Sequence, residues 1–478
     1  MIDARQRRIG FLVAGCMFME ILDGTIVSTA APRIGASLHV PATAIGLVVT
    51  AYLITLAMLI PLSGWMVSRY GTRRVFLTAI VIFTAASLLC STSRSLGELV
   101  AWRVVQGVGG AMMVPVGRLA ALGTVAKADL MRMISFIVWP ALMAPVFAPL
   151  AGGFITTYAS WPWLFLINVP LGAVAFVVAF RIVPALPVQR PARLDWTGIV
   201  LVGLALGGLT YDASLLAETA PPWVVAASIG LPAAVLLAAA VRHLLRAPAP
   251  LVDLRTLEIP TFRVAVGCGA LCYMAIAAVP FLLPLLFETV FGWSAIRSGI
   301  LVMFVFVGNI GIKPATSYLI NRFGFRTVLL TSCLTLAASV AVAGLFTAQT
   351  PVIVIIVIAA ISGTARSVCG TSYNTLNYVD VPEAQMPHAN SLAATAQQLS
   401  LGLGVAAATV ALRLGDLTAH LFPGHPANRT AFTVAFALMA VPPLAAALGV
   451  TRLHRDSGSA ARRPAGRLEP AGTDQNAV

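Results

Sequence analysis

Two stretches of the chain carry charge where charge is expensive. In the first long apolar run, Glu20 and Asp23 stand three residues apart, so on a helix they share one face. Two carboxylates facing one cavity compete for a single proton. A carboxylate that takes up and releases a proton at membrane depth can couple transport to a proton gradient. The alternative is that Asp23 braces a neighbouring helix permanently. The second stretch, Glu98 to Arg118, reads E-L-V-A-W-R-V-V-Q-G-V-G-G-A-M-M-V-P-V-G-R. It is long and apolar enough to cross a bilayer, which takes about 20 helical residues. Arg103 lies inside it, and a charge at that depth costs at least ~2.5–3.5 kcal/mol, so it is normally paired or faces a cavity. Gln106 follows on the same face, and Gly107 and Ala111 form a small-xxx-small pair that lets another helix approach closely. Because Arg103 is only five residues past Glu98, snorkelling to the surface is the competing reading.

Further polar groups fall inside apolar runs and form a candidate substrate cavity with Gln106. Asn309 and Lys313 lie in G-N-I-G-I-K-P, where Gly308, Gly311 and Pro314 suggest an opened helix. Arg366 sits among Ser362, Gly363, Thr364 and Ser367, with Asn374 two turns further on. For Lys313 the competing reading is again a snorkel. Asp212 and Glu218 read as solvated positions in an outer loop, and Trp139, Trp161 and Trp163 as interface and packing aromatics.

These positions need membrane helices to hold them. Of the 478 residues, 59% are hydrophobic and 10% charged, with mean hydropathy +0.91; soluble domains carry nearer a quarter charged residues. The net charge of +14 is scattered through short loops rather than gathered in a basic domain, which argues against nucleic acid. Six cysteines all fall in apolar runs and read as core residues, not as a disulfide framework or metal site. No P-loop, H-E-x-x-H or clustered metal ligand supports an enzyme or a bound cofactor. No cleavable leader is evident, because the first apolar run is too long and carries both acids.

Fourteen spans are expected, near 9–31, 43–67, 75–93, 98–122, 132–156, 162–183, 196–215, 222–241, 262–288, 298–320, 327–347, 351–374, 390–412 and 430–450. With both termini cytoplasmic, basic residues divide 22 to 5 between the cytoplasmic and outer loops. Residues 63–77 and 316–330 repeat at an offset of 253: Arg69, Gly71, Arg73, Val75 and Leu77 match Arg322, Gly324, Arg326, Val328 and Leu330. Each stretch links the second and third spans of a six-span half. A division follows into 1–185, a six-helix bundle; 186–245, an inserted pair; 246–452, a second six-helix bundle; and 453–478, a disordered cytoplasmic tail.

At this point the chain resembles the major facilitator superfamily, and within it the fourteen-spanning drug:proton antiporter branch. Ile21 to Pro32 is similar to the branch's L-D-x-T-I-V-N-x-A-L-P, and Gly64, Arg69, Gly71, Arg73 and Arg74 to the superfamily's G-x-x-x-D-R-x-G-R-R turn. Arg103 to Ala111 resembles R-x-x-Q-G-x-G-x-A. Ala144 to Gly153, with Pro145, Pro149, Gly152 and Gly153, resembles the antiporter motif G-P-x-x-G-P-x-x-G-G. Trp161 to Gly172 resembles W-R/H-W-I-F-L-I-N-V/I-P. Three positions depart: Ser68 replaces the turn's Asp, and Ala144 and Ala148 replace glycines. The resemblance implies an all-α integral membrane protein of the bacterial inner membrane that exports small molecules or drugs. Protons would be coupled through Asp23, Glu20 and Arg103, and the turn residues would govern conformation. Substrate, protons and lipid are the partners, and a monomer suffices. An excess of in-span cations favours the alternative of a proton-linked organic-anion or metabolite carrier. The three departures leave open a non-transporting sensor or scaffold.

Overall fold

A backbone in lipid must satisfy its own N–H and C=O groups, and the chain does so with helices. The computed structural model describes residues 3–122, 130–184, 194–216, 223–248, 250, 252–382, 385–421 and 427–453. The expected 185/186 boundary, Lys127, Glu218 and tail residues 454–478 lie outside the described residues.

The first half comprises α1 (Ala4–Thr29), α2 (Ala31–Ser37), α3 (Ile45–Leu59), α4 (Leu62–Tyr70), α5 (Thr72–Ser91), α6 (Leu96–Leu122), α7 (Leu130–Tyr158), α8 (Trp163–Leu166) and α9 (Asn168–Ile182). A pair follows, α10 (Trp196–Leu216) and α11 (Trp223–Arg246). The second half comprises α12 (Pro260–Leu285), α13 (Ala295–Gly311), α14 (Lys313–Phe323), α15 (Phe325–Ala343), α16 (Val352–Val379), α17 (Met386–Leu421) and α18 (Ala427–Val450). Among the described residues, 11 helices are long and apolar enough to cross a membrane, or 12 if the bent pair α13–α14 is one span, against the fourteen expected. The others stand at α7, whose 29 residues include three prolines, and at α10, whose apolar run is the shorter Trp196–Leu209. Asp212, expected in a loop, is on α10.

Two of the expected spans are broken. The span expected at 43–67 stops at Leu59 and resumes at Leu62 around Pro61, and α13 bends by 40° into α14 at Ile312, next to Pro314. Proline lacks an N–H and clashes with the preceding turn, which weakens the helix at both breaks. The repeat is visible in the backbone. Gly71 (φ 83°, ψ 147°) and Gly324 (φ 82°, ψ 159°) turn the chain identically between α4 and α5 and between α14 and α15. That region is open essentially to glycine alone.

Association in lipid depends on close packing rather than on hydrophobic exclusion, and small residues permit it. The halves meet through α7 on α13, α3 on α17 and α1 on α12. A Cβ added at Gly153 would lie 2.5 Å from the Ala295 carbonyl oxygen, and one at Gly46 would lie 3.3 Å from Phe281. Thr50 donates to the Gly402 carbonyl at 3.3 Å. The contacts of Gly153 with Ala295 and of Gly46 with Phe281 lie toward the helix ends opposite the start of α1. At the near end, α4 and α14 pack mainly on helices of their own halves. The extra pair packs through α10 against both α3 and α17, along one seam between the halves.

Candidate functional site: a buried ion-pair network beside an unpaired carboxylate

The cost of an isolated charge requires a partner for Arg103, and the partner is Asp23. The Arg103 Nη1–Asp23 Oδ2 distance is 2.5 Å, with both side chains fully buried. The snorkelling alternative for Arg103 is therefore excluded. Arg103 Nη1 also donates to Gln106 Oε1 at 2.7 Å. Gln106 Nε2 donates to Asp23 Oδ1 at 3.0 Å and to Ser87 Oγ at 2.7 Å, and Asn168 Nδ2 donates to Asp23 Oδ1 at 2.8 Å. Asp23 thus receives three donors from two helices, α6 and α9, while Ser87 on α5 ties the network to a third. The Arg103 guanidinium also lies 4.0 Å from the Tyr52 ring centre, a cation–π contact that shields its face. Arg103 Nη2 and Asn168 Oδ1 remain without a hydrogen-bond partner.

The glycines around the arginine explain how α6 comes so close. A Cβ at Gly107 would lie 2.7 Å from Thr55 Cβ, and one at Gly109 would lie 2.6 Å from the Phe83 backbone nitrogen. Gly107 therefore faces α3 and Gly109 faces α5, and the buried pair is held between tightly docked backbones. Gln106, read as a cavity residue, is fully buried in this network instead.

Glu20 is different. It is half-buried one turn before Asp23, and its Oε2 has no hydrogen-bond partner. Arg118 and Asp23 are both within its electrostatic reach. The two acids therefore differ in their partners: Asp23 is paired with Arg103 and receives two further amide donors, whereas Glu20 Oε2 receives none.

In the second half, Lys313 begins α14 at the bend, half-buried, and donates to Thr371 Oγ1 at 3.2 Å. Arg366 lies 5.0 Å from the Phe306 ring centre, and its Nη1 has no partner. Asn374, exposed on α16, donates to Tyr273 Oη at 3.1 Å. Asn309 is half-buried on α13, where its backbone faces Gly363. The structure thus brings Lys313, Arg366 and Asn374 to α16 and its neighbours α12 and α14, apart from the Asp23 network.

The turn arginines act on helix ends. Arg73 donates to the Phe180 carbonyl and lies over that ring at 5.0 Å, while Arg5 donates to the Ile182 carbonyl at 3.3 Å. Both therefore occupy the last turn of α9, where carbonyls lack helical partners and cations are favoured. Arg322 donates to Tyr318 Oη at 3.3 Å. Ser68 donates back to the Gly64 carbonyl at 3.0 Å and supplies no acceptor charge to the turn. In the proline motif the two glycines serve different interfaces: Gly152 faces Thr29 and Ile26 of α1, and Gly153 faces α13 across the halves. Ala144 and Ala148, in place of glycines, are fully buried and keep that surface small. Pro145 and Pro149 both lie within α7.

Sequence reasoning singled out Asp23, Arg103 and Gln106 but missed Asn168, Ser87 and Tyr52 as their partners. Asn168 was within view as the one amide of L-I-N-V-P. The sequence reading also treated the cysteines separately, whereas Cys272, Cys333 and Cys369 come from three helices to lie with their sulfurs within 4.8 Å.

Known proteins share this architecture. The D-xylose-proton symporter aligns with a TM-score of 0.69 over 94% of this chain and 98% of that one, at 15% identity. The nucleoside transporter NupG aligns at 0.64 over 94% and 98%, at 12% identity. In sequence, the chain is 34% identical over 449 residues to "Putative multidrug resistance protein MdtD" of Pectobacterium atrosepticum, covering 94% of this chain and 96% of the relative. It is 31% identical to "Probable transport protein HsrA" of Haemophilus influenzae, covering 96% and 98%. The Major Facilitator Superfamily model matches residues 13–405, a stretch that takes in the ion-pair network, both glycine turns and the joined ends of the two halves; the chain belongs to that superfamily.

Proposed function

We propose that the protein is a proton-coupled secondary transporter that exports small molecules across the bacterial inner membrane, with both termini cytoplasmic. The observation that carries this reading is the half-buried, unpaired Glu20 one turn from a neutralised Asp23–Arg103 pair, on a helix that also packs against the other half. Protonating Glu20 removes a charge from the electrostatic environment of that pair and of Arg118. Asp23 and Arg103 convert the change into a different packing of α1, α6 and α9, a bistable element that a proton can bias. The moving bodies are 1–185 and 246–452, with the pair in 186–245 held along their seam. In the proposed orientation the joined ends are the outer ones, and the described arrangement is inward-facing. The proton gradient supplies the energy, and no cofactor or catalytic step is assigned. The relatives named for multidrug resistance and transport support the direction and the substrate breadth.

The test is reconstitution of the full chain in proteoliposomes with a panel of fluorescent drugs. Movement of at least one compound that collapses with the imposed pH gradient is expected. A properly folded preparation that moves none of the panel, with or without a gradient, would support a sensor or scaffold.

A further inference from the structure

Charge is compensated in one half of the molecule and left uncompensated in the other. In the first half Arg103 is neutralised by Asp23. In the second, Lys313 of α14 is hydrogen-bonded to Thr371 of α16, which lies just over one helical turn from Arg366 on that same helix. Neither cation forms an ion pair with a carboxylate among the described residues. Lys313 has only the Thr371 hydroxyl, and Arg366 has the face of Phe306 and an unpartnered Nη1. Arg366 stands in mid-helix, and Lys313 stands at the bend where α13 meets α14, a helix length from the Phe323 end where snorkelling would release it. Lys313 is 10 residues before the end of α14, or about 15 Å at 1.5 Å per residue, and Arg366 lies midway along the 28 residues of α16. Two cations held at membrane depth without an anion are costly, and such a pair persists where a ligand supplies the missing charge. Around them stand a phenyl ring, a hydroxyl and the Tyr273–Asn374 hydrogen bond, a setting for an aromatic or apolar body bearing one acidic group.

We propose that Lys313 and Arg366 form the seat for an acidic group, so that the transported molecule is an amphipathic organic anion such as an aromatic carboxylate or sulfonate. The inference rests on the transporter reading and narrows it to a substrate class. It also fits the energetics of export. An anion leaving the cell moves with an inside-negative potential, and a proton entering in exchange does the same.

The experiment uses the purified full chain in nanodiscs and two probes with one aromatic frame, 8-anilinonaphthalene-1-sulfonate and its uncharged counterpart N-phenyl-1-naphthylamine. Rhodamine 6G serves as the cation. Binding is read as ligand-induced thermal stabilisation across a concentration series. The wild type should favour the sulfonate over the neutral probe by about tenfold or more, and Lys313→Gln with Arg366→Gln should abolish that preference. The single variant Lys313→Glu tests the same seat in case the double variant does not fold: it should reject the sulfonate and gain affinity for rhodamine 6G. Equal binding of sulfonate and neutral probe by the wild type, or an undiminished sulfonate preference in the variants, overturns the proposal. Proton-driven movement of rhodamine 6G with no sulfonate binding would leave the transporter reading standing and remove the anion seat. Selective sulfonate binding in a protein that transports nothing would do the reverse.

Discussion

Removing the guanidinium of Arg103 would leave the fully buried Asp23 carboxyl with no countercharge and only two amide donors. Breaking one side of a buried ion pair costs about 3–5 kcal/mol, because the remaining charge is uncompensated. Arg103→Ala and Asp23→Asn each leave the other member of the pair uncompensated, so both are expected to lower the melting temperature and the monodisperse fraction in detergent, and the double variant should recover part of the loss. Wild-type melting temperatures in both single variants would show that the pair contributes little to the fold. Glu20 has no such structural duty. Glu20→Gln should leave stability within about 0.5 kcal/mol of wild type, as expected for a residue without fixed partners, yet abolish gradient-driven transport and its pH dependence. Retention of both would take Glu20 out of the cycle. The Asp23–Arg103 contact was legible in the sequence because each charge alone is too costly at membrane depth. Asn168 and Ser87 were not, because an amide and a hydroxyl carry no such penalty and lie 145 and 64 residues from Asp23 in sequence.

Helix ends and helix faces carry the next level of control. The two glycine turns hold backbone angles that side-chain-bearing residues tolerate only at a cost of about 1–3 kcal/mol. Gly71→Ala and Gly324→Ala should each destabilise by that amount, measured as equal shifts in thermal unfolding if the two halves are true repeats. Arg73 binds the end of α9 rather than an acid, so Arg73→Ala should slow transport while sparing expression. Unchanged transport would remove this turn from the mechanism. At the seam, Gly153 touches the Ala295 backbone, with Gly299 against Pro149 nearby. Gly153→Val should wedge α7 from α13 and open the joined ends, raising alkylation of a cysteine placed at Ala295 by a membrane-impermeant reagent. No rise in labelling would show that this contact does not close the outer side. The break before Pro314 could be read from sequence, where Gly308 and Gly311 stand with the proline; the one at Pro61 could not, since prolines also lie inside the unbroken helices α6, α7, α11, α12 and α18. The division of labour between Gly152 and Gly153 could not, because adjacent residues point to different neighbours only once the helix is docked.

At the scale of the whole molecule, the repeat at an offset of 253 and the run of apolar segments made two related halves legible. Of the fourteen expected spans, eleven or twelve are found among the described residues, and the other two fall on the helices α7 and α10. The position of the extra pair, with α10 against both α3 and α17, was not legible, since these contacts join segments far apart in the chain. The central claim is that proton uptake at Glu20, relayed through Asp23 and Arg103, sets which end of the two halves is open. An exchanger must carry its proton inward, so the protonated form should favour the inward-facing arrangement. The most direct measurement is the distance between spin labels at the exposed positions Tyr70 on α4 and Phe323 on α14, read by pulsed electron resonance in nanodiscs. Acidifying from about pH 8 to about pH 5 should increase the long-distance, inward-facing population in the wild type and leave Glu20→Gln unchanged in its long-distance state. A distance distribution that ignores pH in the wild type, or that shifts equally in Glu20→Gln, would contradict the account.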